Sequence, residues 1–171
     1  PGLDSKHARI LMDDNATEMS VRFHAEIGQW VAIYGYPDVR PGFPAVPPSD
    51  TIYARTAQRL EGPWSAPRPI YRMPELDPAL RRNDKTICYA AKEHPELARR
   101  GELLITYVCN LFTPSDAVPL AVLQELKLDM DLYRPSVVRV PIERVLGDSG
   151  DSVGDSVGDS VGDSVGDRVG R

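Results

Sequence analysis

The chain has 171 residues, 42% of them hydrophobic, with 16 prolines and a formal net charge of −5. That length holds about one domain, and so much proline beside so little helical periodicity favours strands and turns. Six aspartates and two arginines from Gly147 onward carry −4 of the charge, so the remainder has no basic patch and nucleic acid is not an expected partner. No apolar run reaches the roughly 18 residues of a membrane-crossing helix, and no charged-then-apolar leader follows Pro1, so no membrane partner is expected either.

Residues 1–17 hold one short apolar run, Ile10-Leu11-Met12, which reads as the end of a preceding sheet or a linker; Asp13-Asp14-Asn15 then reads as a turn. Met19 to Ala25 predicts a first strand, with Val21 and Phe23 on one face and Ser20, Arg22 and His24 on the other. Gly28-Gln29 turns the chain into a second strand, Trp30 to Tyr36, rich in aromatic and β-branched residues and ended by Pro37-Asp38. The proline-rich stretch 39–50 cannot be strand interior. Thr51 to Ala57 predicts a third strand. Glu61-Gly62-Pro63 turns the chain, Trp64 packs back, and Pro69 to Arg72 predicts a fourth. Residues 18–74 thus form one four-stranded sheet.

Residues 74–85 are a polar connection with room for one helical turn. Strands are predicted at Thr86 to Lys92, Leu103 to Leu111 and Ser136 to Ile142, with a short helix over Pro119 to Asp131. Residues 86–146 are therefore a second, partial sheet. Gly28–Tyr34 and Gly101–Tyr107 share the pattern Gly, any, apolar, apolar, any, any, Tyr, which reads as an internal repeat. The tail, 147–171, repeats Asp-Ser-Val-Gly and offers only single valines. It cannot bury enough apolar surface to offset chain entropy and reads as disordered.

Two cysteines are too few for a disulfide framework. If the second hairpin is centred between Ala98 and Arg99, Cys88 and Cys109 lie opposite each other at a separation that permits one disulfide. The alternative is two small buried hydrophobes.

The ordered set Glu18-Met-Ser-Val-Arg22, Gly28-x-Trp30, Tyr53-Ala-Arg-Thr-Ala57 and Gly62-Pro-Trp-Ser65 resembles an uncharacterised five-bladed β-propeller family with a fold like the arabinanases, β-xylosidases and levansucrases. The resemblance implies an all-β, incomplete β-propeller. Its blades would be 18–74 and 86–146, forming the C-terminal part of a larger parent that acts on carbohydrate outside the cell. Open sheet edges and an uncovered blade face imply weak stability and aggregation of the chain alone.

Propeller sites lie where inner strands converge, so the resemblance points to the first strand of each blade. Glu18 is the candidate catalytic general acid, because the superfamily keeps such a glutamate at a comparable place. Arg22, His24, Lys92 and His94 are the candidate substrate-binding residues. Beside these stand plainer readings: a Glu18–Arg22 ion pair, surface histidines, and a solvated edge at Lys92-Glu93-His94. Glycoside hydrolysis needs two carboxyl groups flanking the bond, and the second would lie on a blade this chain lacks, so the chain alone is not expected to be catalytic. No metal or cofactor is expected: the histidine spacing fits no metal motif, and there is no nucleophile elbow or Gly-rich phosphate loop. Three readings stay open, namely a glycosidase-like propeller piece, a non-catalytic glycan- or protein-binding propeller, and an inactive truncated product.

Overall fold

The structure, a computed structural model, describes residues 8–12, 18–35, 50–80, 86–111, 124 and 132–146. Strands β1 (Met19–His24), β2 (Gln29–Gly35), β3 (Thr51–Ala57) and β4 (Arg68–Arg72) pair antiparallel in sequence order. Strands β5 (Thr86–Glu93), β6 (Glu102–Leu111) and β7 (Ser136–Pro141) form a second antiparallel sheet, also in order. A 3-10 turn at Pro74–Leu76 lies between the sheets, another at Pro95–Leu97 follows β5, and one helical turn, α1 (Glu143–Leu146), follows β7. The fold is all-β: two meander sheets of four and three strands, not a closed ring. The expected turn at 13–15, the proline-rich stretch, the 119–131 helix apart from residue 124, and the tail lie outside the described residues. Ile10 to Met12 forms no strand, and Met12 packs on a small cluster of Ala32, Tyr34 and Tyr53.

One core joins the sheets. Val31, Ile33, Ile52, Ala54 and Ile70 of the first pack with Cys88, Ala91, Leu103, Ile105 and Val140 of the second, and Val145 of α1 closes one end. Burying such side chains stabilises the fold by roughly 1.5–3 kcal/mol each before entropy is counted. The two repeat glycines have one physical cause. Gly28 (φ +66) and Gly101 (φ +78) each stand immediately before a strand in a left-handed conformation that a side chain would strain. The hairpin tips are also tied together, since the Gly101 N–H donates to the Glu26 carboxylate at 3.1 Å.

The Gly62-Pro63-Trp64-Ser65 segment is structural. The Ser65 N–H donates to the Thr56 carbonyl at 2.8 Å, and the Thr56 N–H donates back to Ser65 Oγ at 3.0 Å. Buried Arg55 donates to the Ser65 carbonyl at 2.9 Å and to the Tyr34 hydroxyl at 3.0 Å. Trp64 then packs against the Tyr34 and Tyr53 cluster.

Alternation in β1 runs against simple hydrophobic burial. His24 is buried and Ser20 and Arg22 half-buried, whereas Met19, Val21 and Phe23 on the other face are exposed, Phe23 by 45%. Among the described residues Phe23 meets the ring of Trp30 edge-on, at 5.8 Å between centroids. Such a strip favours association. Light scattering of the purified chain is expected to show oligomers at micromolar concentration, shifted toward monomer by Phe23→Lys. A wild-type chain that is already monomeric at that concentration would contradict the expectation.

Candidate functional site

Three polar groups link elements of the two sheets. The first joins β1 to β5. His24 Nε2 lies 3.2 Å from Glu93 Oε2, with the side chains 7% and 2% exposed. The Glu93 N–H donates to Ser20 Oγ at 2.9 Å. Its geometry depends on a β-bulge. The β5 register slips between Tyr89 and Lys92, where Ala90 takes φ +57, so that Cys88 before it and Ala91 and Glu93 after it all face the core. A bulge sets two residues against one and inverts the alternation beyond it. Lys92 and His94 are therefore turned away from His24, toward the opposite face, where Lys92 is exposed and His94 Nε2 bonds Thr106 Oγ1 at 2.8 Å. His94 also meets exposed Glu96 at 3.3 Å.

The second group lies at the surface. Glu18 is exposed at the bend leading into β1. On β5, burial pushes up the phenol of Tyr89, which has Asn110 and Tyr133 as hydrogen-bond partners, and the Glu18 charge adds a lesser push in the same direction. Tyr133 is 50% exposed, and Tyr89 and Asn110 are half-buried. Two phenol rings and an amide thus share one patch, with the Glu18 carboxylate acting on it through its charge.

The third group lies over β6 and β7. Glu75, carried by the 3-10 turn after β4, accepts hydrogen bonds from the Tyr107 hydroxyl at 2.9 and 3.2 Å and from Ser136 Oγ at 3.0 Å. Tyr107 and Ser136 are direct cross-strand partners, so the sheet register aims both donors at one carboxylate. Burial, then neighbouring Tyr71 and Glu75, raises the Tyr107 phenol far above its ordinary value and keeps it a donor. Two residues along β6, Cys109 is joined to Cys88 in a disulfide across a directly opposed pair, Cα–Cα 4.0 Å. One carboxylate oxygen of Glu75 and both sulfurs lie within 4.8 Å of one another.

Of the residues singled out in the sequence, Glu18 joins the surface patch through its charge, His24 joins the buried pair, and Arg22 stays half-buried on β1 between Ser20 and His24. Lys92 and His94 join neither. Tyr89, Asn110, Tyr133 and Glu75 are the additions. The sequence places Glu93 beside Lys92 and His94 at a solvated edge, and the bulge buries it instead; Tyr89 and Asn110 could be found only by knowing which faces of β5 and β6 are exposed.

Residues 45–147, more than half of the chain, match the model of a family described as a domain of unknown function, DUF5005. The chain belongs to that family. No curated protein and no solved structure matches it. The matched stretch begins ahead of β3, runs through α1 and includes Glu75, Tyr89, Asn110, Tyr133 and both cysteines; Glu18, Arg22 and His24 precede it.

Proposed function

We propose that the chain is a non-catalytic, carbohydrate-binding part of a larger propeller-like protein, with its site at Glu18, Tyr89, Asn110 and Tyr133. The observation that carries the reading is the make-up of this patch. Sugar rings present apolar C–H faces that pack on aromatic rings, and their hydroxyls need donors and acceptors such as an amide and a carboxylate. The patch supplies both kinds of group, with Tyr133 half-exposed.

The glycosidase reading has less support. Glu93 is the one carboxylate on β5, and it is 2% exposed and held by His24. It cannot serve as the partner of Glu18 across a glycosidic bond, where one carboxyl must protonate the leaving oxygen and the other attack or activate water. Arg22, beside His24 on β1, is a secondary contact in this proposal.

A glycan array and a panel of chromogenic glycosides test it on the purified chain. Binding without hydrolysis is expected, with Tyr133→Ala weakening binding about tenfold, in line with one aromatic contact worth about 1.4 kcal/mol. Hydrolysis above buffer that Glu18→Gln abolishes would restore the catalytic reading. Absence of any glycan binding would leave the truncated, inactive product.

A further inference from the structure

The Glu75 carboxylate stands against a disulfide, which has no N–H or O–H to offer it. Two hydroxyl donors, Tyr107 forked across both carboxylate oxygens and Ser136 on one of them, nevertheless fix its direction. One of its oxygens lies with Cys88 Sγ and Cys109 Sγ, all three atoms within 4.8 Å of one another. Tetrahedral Zn2+, with Zn–S near 2.3 Å and Zn–O near 2.0–2.2 Å, holds its ligand atoms about 3.5–3.8 Å apart. The two sulfurs are bonded to each other while the disulfide stands, so reduction must let them part to reach that spacing beside the Glu75 carboxylate, which lies within 4.8 Å of both. Hydrogen bonds that orient a ligating carboxylate are the usual outer support of a metal site.

We propose that Cys88, Cys109 and Glu75 form a redox-gated site for a thiophilic divalent cation of the Zn2+ class, closed while the disulfide stands and opened by its reduction. A dithiol reductant gives two electrons and two protons to the disulfide. The S–S bond breaks, two thiols form, and the reductant becomes a disulfide. Zn2+ then displaces the two thiol protons to solvent and takes two Zn–S bonds and one Zn–O bond to Glu75. The fourth position is left for water on the half-buried Glu75 side. Two thiolates and a carboxylate suit a soft-to-borderline cation and disfavour Mg2+ or Ca2+. The inference does not depend on carbohydrate binding, since the two patches share no residue.

The full chain, reduced with a phosphine, is titrated with Cd2+ as the spectroscopic stand-in and then with Zn2+. Expected are a thiolate-to-metal charge-transfer band saturating at one ion per chain and none in the oxidised chain. Glu75→Gln is expected to weaken binding by at least about tenfold, since loss of even a residue that only orients a ligand costs that much, and Cys109→Ala to abolish it. Far-UV circular dichroism follows the sheets throughout. The proposal is overturned if the reduced, folded chain gives no band, or if Glu75→Gln binds as tightly as wild type. It is also overturned if the reduced chain loses its sheets and one equivalent of Zn2+ does not restore them. Zn2+ is further expected to protect both thiols from iodoacetamide; unprotected thiols at saturating Zn2+ count against the site.

Discussion

Glu93→Ala is expected to cost the fold about 1–3 kcal/mol, the penalty of leaving a buried polar group without its hydrogen-bond partner. The cause is the partner left behind. His24 is buried on β1 facing the second sheet, and without Glu93 its ring nitrogen loses its carboxylate in a place water does not reach. Domains of this size are stable by only about 5–15 kcal/mol, so urea midpoints should fall by a measurable part of their value. His24→Ala should act similarly by stranding Glu93. Glu93→Gln keeps a hydrogen-bonding oxygen and the same volume and should cost about 1 kcal/mol. The double change His24→Leu with Glu93→Met should return close to wild type, because well-packed apolar residues replace such pairs at little cost. The idea fails if either alanine variant unfolds within about 0.5 kcal/mol of wild type, the size of an ordinary surface change.

The strands were legible because alternation and turn chemistry agree. Thr51–Ala57 is the predicted third strand residue for residue, and the others shift by only one or two positions at their ends. Gly28 and Gly101 were legible for a local reason, since a turn that needs positive φ selects glycine whatever packs around it. What alternation does not reveal is which face is covered. On β1 the apolar Val21 and Phe23 look outward and Ser20 and His24 inward. That reversal is set by sheet-to-sheet contact far away in sequence, across |i−j| of 69 for His24 and Glu93. The bulge at Ala90 misleads in a second way. Uninterrupted alternation from Cys88 would bring Lys92 inward, while the extra residue delivers Glu93 instead. A single register slip thus moves a candidate site from one pair of residues to another. Glu75 was illegible for a third reason. It sits in a polar connection like many surface glutamates, and only the pairing of Tyr107 with Ser136 gives it a purpose.

Reduction of Cys88–Cys109 in the absence of metal is expected to lower the melting temperature by roughly 6–12 °C, from a loss of about 3 kcal/mol. The bridge closes a sequence separation of 21 residues, and opening it returns that loop's freedom to the unfolded chain, which is where the loop-entropy account puts the effect. The folded side should lose little. Both cysteines are core residues at 2% exposure, and small thiols remain acceptable there. Cys88→Ala with Cys109→Ala should therefore melt close to the reduced wild type, slightly lower for the missing sulfur contacts. The comparison separates two roles of the same pair. If the bridge acts only as a tether, the reduced chain and the double alanine variant respond alike to added Zn2+, which is to say not at all. If the pair also gathers a cation with Glu75, Zn2+ raises the melting temperature of the reduced wild type alone, by the mass action of a ligand that binds the folded state. A reduced chain that melts within about 3 °C of the oxidised one would remove the tether role, and equal Zn2+ responses would remove the metal site while leaving the tether intact.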